Sequence, residues 1–124
     1  MGVVVVAALA AWMVSTVRAD LREQDTSIVG QGTPTVVQVH AINCAPCNAL
    51  QRETRAALSD FEDGEIHYRI ANLATEDGLA FATKHAASFT TLLLFDSDGE
   101  LTRRFRGETP RHMLRLAFLG LVDK

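Results

Sequence analysis

The sequence predicts an α/β fold, and three observations carry that expectation. From residue 35 onward, short apolar runs of strand length alternate with stretches whose apolar residues recur at helical spacing. A turn-type tetrapeptide, Asp96-Ser97-Asp98-Gly99, separates two later strand-like runs and leaves no room for a helix between them. A Cys-x-x-Cys pair, Cys44-Ala45-Pro46-Cys47, stands where the first run gives way to the first helical stretch. The order is that of a parallel βαβ unit joined to a ββα unit.

Each element has its own warrant. Val36 to Ile42 is apolar on both faces, as in a fully buried strand. Leu50, Ala57, Leu58 and Phe61 recur at helical spacing among Arg52, Glu53, Arg55 and Asp60, which predicts an amphipathic helix from about Cys47 to Glu62, ended by Asp63-Gly64. Ile66 to Ala71 reads as a second strand, and Leu79, Ala82 and Ala86 mark a shorter helix from about Glu76 to Ala86. Thr91 to Phe95 and Leu101 to Arg106 form a hairpin about the Asp96–Gly99 turn. Thr109-Pro110 has the form of a helix start, Thr109 as N-cap and Pro110 at the first position, leading the apolar face Leu114, Ala117, Phe118 and Leu121.

Ahead of this domain lies a different kind of sequence. Residues 1 to 17 carry no charged side chain and are rich in Val, Ala and Leu, at the lower limit of a membrane-spanning helix. Residues 1–18 are expected to anchor the chain in a membrane. The alternative is the apolar region of a secretory signal, with Val17-Arg18-Ala19 as a candidate cleavage site. Residues 19–34, polar and punctuated by Gly30, Gly32 and Pro34, are expected to be a linker, leaving residues 35–124 as one folded domain. Arg18 and Arg22 would by the positive-inside tendency favour a cytoplasmic domain, whereas a tethered dithiol has more use on the extracytoplasmic side, where the domain is expected.

Composition excludes some classes of function. A net charge of −3, with only Arg103, Arg104 and Arg106 as a basic run, leaves no electrostatic footprint for nucleic acid. That run is expected to be the solvated side of a strand. The 124 residues suit a single domain, and a monomer is expected.

The chain has two cysteines, both in the Cys-x-x-Cys, so neither a separate disulfide framework nor a four-thiolate zinc site can be built from them. At a helix start the first thiol gains amides and the positive dipole end, which hold a thiolate. Cys44 is therefore the candidate nucleophile, and Cys47 is placed to attack the mixed disulfide that forms. The alternative, an inert or purely stabilising bridge, closes too small a loop to contribute much through chain entropy. Pro46 lacks an N–H and stiffens the first turn, so Ala45 and Pro46 are expected to shape the site. His40, four residues before Cys44, titrates near neutrality when unperturbed and is a candidate proton carrier or ligand. His67, His85 and His112 have no spacing that joins them to the pair, and Tyr68 and Phe81 read as core.

Three motifs in order resemble the thioredoxin family over roughly residues 35 to 122. Cys44-Ala45-Pro46-Cys47 is similar to the family's C-G-P-C, Thr91 to Phe95 with its Gly99-Glu100 turn is similar to the family's P-T-L-L-L-F hairpin, and Gly107 stands where the family has a glycine before the last helix. The resemblance implies a near-minimal, three-layer α/β/α version of that fold, without the family's extra N-terminal strand and helix. It also implies thiol-disulfide exchange with a protein disulfide or dithiol, with no organic cofactor, Cys44 being the exposed nucleophile and Cys47 the more buried resolving thiol.

The chain also departs from the family. Thr90, preceded by Phe89, stands where the family has a cis-proline, and a trans Phe89–Thr90 bond is expected because a cis bond before a residue other than proline costs about 2.5–4 kcal/mol. Thr90 and Phe89 are thus candidate site-lining residues. Gln38 replaces a buried aspartate that assists proton movement in the family, His40 and Asn43 fall where it has tryptophans, and Asn48 replaces a basic residue. Loss of the shielding proline opens an alternative function, a metal- or cluster-binding module using the same two thiolates with His40, a partner chain or an exogenous ligand. No metal ligand set is assigned.

Overall fold

A computed structural model describes residues 1–123. Helix α1 spans Gly2–Glu23 and is followed by a 3-10 turn at Thr26–Ile28. The domain then runs β1 (Thr35–His40), α2 (Ala45–Leu58), β2 (His67–Asn72), α3 (Glu76–Lys84), β3 (Thr91–Phe95), β4 (Leu101–Arg106) and α4 (Arg111–Val122). The sheet order is β2-β1-β3-β4, with β1 and β2 parallel and the other neighbours antiparallel. This is the βαβ plus ββα arrangement expected from the sequence.

The layers follow from the period-2 alternation of the central strands. One face of the sheet sends Val36, Tyr68, Leu92, Leu94 and Phe105 against Leu50 and Ala57 of α2 and Leu114, Phe118 and Leu121 of α4. The other sends Val37, Val39, Ala71, Leu93 and Phe95 toward Ala82 of α3, with Phe81 packed alongside. Because β1 and β3 are covered on both sides their centres read as apolar runs, and the polar side chain at the middle of β1, Gln38, is fully buried.

Helix α3 sits on β2 closely enough to require glycine. A Cβ on Gly78 would lie 2.1 Å from the Asn72 carbonyl oxygen. Its N-terminus is capped by Thr75, whose hydroxyl accepts from Gly78 N at 3.0 Å, and Glu76 and Asp77 suit the positive dipole end.

Some expectations need correction. Helix α4 begins at Arg111 with Pro110 as N-cap, because the Thr109 hydroxyl turns back to donate to the Gly107 carbonyl at 3.2 Å. The open amide of Arg111 is met by Glu53 of α2, whose Oε2 accepts it at 2.7 Å while Oε1 takes the Arg111 guanidinium at 2.9 Å. Helix α2 starts at Ala45 and ends at Leu58, earlier at both ends than the spacing suggested. The basic run on β4 does not share one solvated side. Arg104 donates to the His85 and Ala86 carbonyls at the end of α3, and Arg103 lies over the Phe105 ring on the opposite face.

The stretch expected as a linker is partly folded. Helix α1 continues through the charged residues to Glu23, whose carboxylate pairs with Arg55 of α2 at 2.8 Å. Val29 packs into the second core, and Gly30 meets the hairpin turn so tightly that a Cβ on Gly99 would lie 2.8 Å from Gly30 Cα. None of the side chains of α1 is buried.

Candidate active site

Cys44 is the N-cap of α2, a position usually held by Ser, Thr, Asp or Asn because a side-chain acceptor is needed there. Here sulfur fills that place, and Cys44 Sγ accepts from the backbone N–H of Cys47 at 3.2 Å. Pro46, in the first turn, contributes no N–H, so the Cys47 amide is not in competition with it. Cys44 and Cys47 are joined as a disulfide. Cys44 retains 8% of its surface and Cys47 none, so the order of exposure agrees with the resemblance while Cys44 is far less open than an exposed nucleophile. The residues between them, Ala45 and Pro46, are exposed and form the rim.

Thr90 closes the opposite wall. No cis peptide occurs among the described residues, so Phe89–Thr90 is trans as expected. Thr90 instead adopts a left-handed backbone, φ +58°, which for a β-branched residue costs on the order of 1–3 kcal/mol. Two backbone bonds hold it there, Thr90 N–H to the Val39 carbonyl at 3.0 Å and Gly107 N–H to the Thr90 carbonyl at 2.8 Å. The constraint places Thr90 Oγ1 3.2 Å from Cys47 Sγ and 3.5 Å from Cys44 Sγ. Phe89, its neighbour, is 55% exposed, and Ile42, two residues before Cys44, is 66% exposed. Both are exposed apolar side chains within two residues of Cys44 or Thr90 in the sequence.

Behind the dithiol lies a polar link that sequence reasoning missed. Gln38 Nε2 donates to the Cys47 carbonyl at 2.8 Å, and the Tyr68 hydroxyl donates to Gln38 Oε1 at 2.6 Å. Burial pushes the Tyr68 phenol well above its ordinary pKa, so it stays a donor. Tyr68 was expected as core and does belong to the core beside α2 and α4, but its hydroxyl end is part of the site's support. The replacement of the family's aspartate by Gln38 was the one signal that could have found this link.

His40 is not brought to the sulfurs by any hydrogen bond. Its Nδ1 is buried without a protein partner, and burial lowers its pKa, which favours the neutral ring. Among the described residues no group of three or more His, Cys, Asp or Glu side chains could hold a metal ion. A metal on the two thiolates would therefore take its remaining ligands from outside these residues.

No family model matches the chain, and no curated protein matches it. Among solved structures it is similar to the solution structure of an uncharacterized thioredoxin-like protein from Clostridium perfringens, with a TM-score of 0.68 and 19% identity over 79% of this chain and 78% of that one. The fold is thioredoxin-like. A thioredoxin-like fold with a Cys-x-x-Cys pair at the start of its first domain helix supports a thiol redox role.

Proposed function

We propose that this chain is a thiol-disulfide oxidoreductase that exchanges disulfides with a protein partner. The observation that carries the reading is the N-cap position of Cys44, the less buried cysteine of the pair, with the Cys47 amide donating to its Sγ at 3.2 Å. That amide and the helix dipole favour a thiolate at Cys44 once the pair is reduced. In the forward sense, a thiolate of the partner attacks Cys44 Sγ or the Cys44 thiolate attacks a partner disulfide. Either way one S–S bond breaks as a mixed disulfide forms. Where the chain reduces a partner disulfide, the Cys47 thiolate then attacks Cys44 Sγ, forms the intramolecular bond and expels the partner's remaining thiolate. Where it oxidises a partner dithiol, the partner's second thiolate attacks the partner sulfur of the mixed disulfide and Cys44 leaves as the thiolate.

The exposed side chains of Ile42 and Phe89 give the partner an apolar margin beside the pair. Residues 1–18 are read as a membrane anchor that keeps the domain on the extracytoplasmic side, where disulfides persist.

The test uses the full chain carrying Cys47→Ser. A covalent complex with a protein partner, resolved by reductant and absent in the Cys44→Ser/Cys47→Ser double variant, is the expected result. Recovery of no mixed disulfide with Cys44 intact would overturn the reading.

A further inference from the structure

We propose that the Thr90 hydroxyl is a catalytic group that bridges the reduced pair, accepting from the Cys47 thiol and donating to the Cys44 thiolate, and so shifts the redox equilibrium toward the dithiol. This rests on the exchange reaction proposed above and adds to it the group that sets its poise.

Thr90 is only 5% exposed, and among the described residues its hydroxyl has no hydrogen-bonding neighbour other than the two sulfurs, at 3.2 and 3.5 Å. In the disulfide neither sulfur carries a proton, so the hydroxyl is the only donor of the three atoms and faces weak acceptors. A buried donor so placed is poorly satisfied, and that is a cost borne by the oxidised state.

Reduction changes the partners without moving the hydroxyl. With glutathione as the exchange couple, two glutathione thiols become one glutathione disulfide and the Cys44–Cys47 bond breaks. The pair gains two electrons, one proton stays on Cys47, and the other passes to solvent as Cys44 takes the thiolate form. Thr90 Oγ1 can then accept from the Cys47 S–H and donate its own proton to the Cys44 thiolate. The Cys47 backbone N–H is a second donor to that thiolate. A hydrogen bond to a charged group is about twice as strong as a neutral one, so the gain falls on the reduced state.

The backbone supports the same reading. A β-branched residue at φ +58° is strained, and it is clamped from both sides by Val39 and Gly107. Strain of this kind persists where surrounding structure over-determines a position, and what this position fixes is the place of one hydroxyl against two reactive sulfurs.

The experiment is equilibration of the detergent-solubilised full chain in graded glutathione buffers, with the oxidised fraction counted by alkylation and mass. Thr90→Val keeps the branched shape and removes the hydroxyl. Its equilibrium should move toward the disulfide by about 10- to 100-fold, equivalent to ~30–60 mV for a two-electron couple. The pH at which Cys44 is alkylated should rise with it. Thr90→Ser, which keeps the hydroxyl, should stay within about threefold of the parent on the same scale. Thr90→Ala serves in place of valine if that variant does not fold. A valine or alanine variant that equilibrates like the parent, with an unmoved alkylation profile, overturns the role of Thr90. A parent chain that shows no two-electron exchange overturns the proposed function instead.

Discussion

Gln38 Nε2 donates to the backbone carbonyl of Cys47 at 2.8 Å, which ties the first turn of α2 to the centre of the sheet. The direction of that bond is fixed from behind, because the Tyr68 hydroxyl donates to Gln38 Oε1 and leaves the amide nitrogen for Cys47. Tyr68 in turn lies beneath the Arg55 guanidinium, 5.3 Å from the ring centre, and Arg55 pairs with Glu23 at the end of α1. Four elements thus converge behind the buried cysteine.

The link gives a stability prediction with a sign. Tyr68→Phe leaves a buried carbonyl oxygen without its donor and should cost about 1–3 kcal/mol in chemical denaturation. Gln38→Glu tests the same position by pH. Burial and the facing Cys47 carbonyl would hold the new carboxyl protonated in the folded state, so its folded pKa lies above the unfolded value of about 4.3. The folded state then binds more protons, and the variant should lose stability as pH rises from about 4.3 through the raised folded pKa. A denaturation midpoint with the same pH dependence as the parent would show that Gln38 is not held as described.

Burial lowers the pKa of His40, His67 and His85 below the ordinary 6.5, with Arg69 adding to the effect at His67 and Lys84 and Arg104 at His85. Between each folded value and 6.5 the unfolded chain binds more protons, so stability rises with pH across that window and is lost as pH falls from 6.5. Asp25, hydrogen-bonded by Ser27, and Glu53, held by Arg111, are also lowered; their contributions are present above ordinary carboxylate values and are lost at lower pH. All these groups act in one sense. The oxidised chain should have a higher urea midpoint at about pH 7.5 than at about 5.5, and His40→Gln should flatten the difference, because protonating that ring requires solvating a buried nitrogen.

The element order was legible because each segment's apolar period matched the layer it occupies. Val36 to Ile42 read as a two-faced buried strand, of which β1 takes in the residues up to His40 while Ile42 lies beyond it and is exposed, and the Asp96–Gly99 turn announced the hairpin. Cys44 and Cys47 were legible for the same reason, since a strand-to-helix junction is a local pattern. The site's other walls were not local. Tyr68 meets Gln38 across thirty residues through the β1–β2 register, which no spacing encodes. Thr90 drew notice only as the residue standing in for a proline, and its hydroxyl's approach to both sulfurs depends on a left-handed φ that a threonine does not advertise. Val29 and Gly30 looked like linker because most of the second core, from Ala71 to Phe95, and the turn at Gly99 come far later in the chain.

Gly78 offers a control that separates folding from chemistry. The Cβ of Gly78→Ala would press on backbone atoms of Asn72, at 2.1 Å from O and 2.6 Å from N, so α3 must move off β2. Overpacking of this kind costs typically about 1–3 kcal/mol. The denaturation midpoint should fall, while the glutathione equilibrium of the pair should remain that of the parent, because α3 lies on the face of the sheet opposite α2. A shifted equilibrium would mean that the packing of α3 reaches the dithiol.

Helix α1, with 22 residues, is about 33 Å long at 1.5 Å per residue, enough to cross a hydrocarbon core of about 30 Å, though its charged end from Arg18 to Glu23 would lie at or beyond the boundary. The same length and composition suit the apolar region of a signal segment near an N-terminus. The two readings differ in the mass of the mature chain and in what holds it to the membrane. An anchored chain retains the residues of α1 and stays with the membrane after an alkaline wash, whereas a cleaved one begins near Asp20 and washes off. Leu9→Arg places a charge near the middle of the apolar stretch at about 2.5–3.5 kcal/mol, which should release a substantial share of an anchored chain. Retention of α1 in the mature protein together with loss of membrane binding in Leu9→Arg is the expected result; a mature chain starting near Asp20 would make α1 a signal and the folded domain a free one.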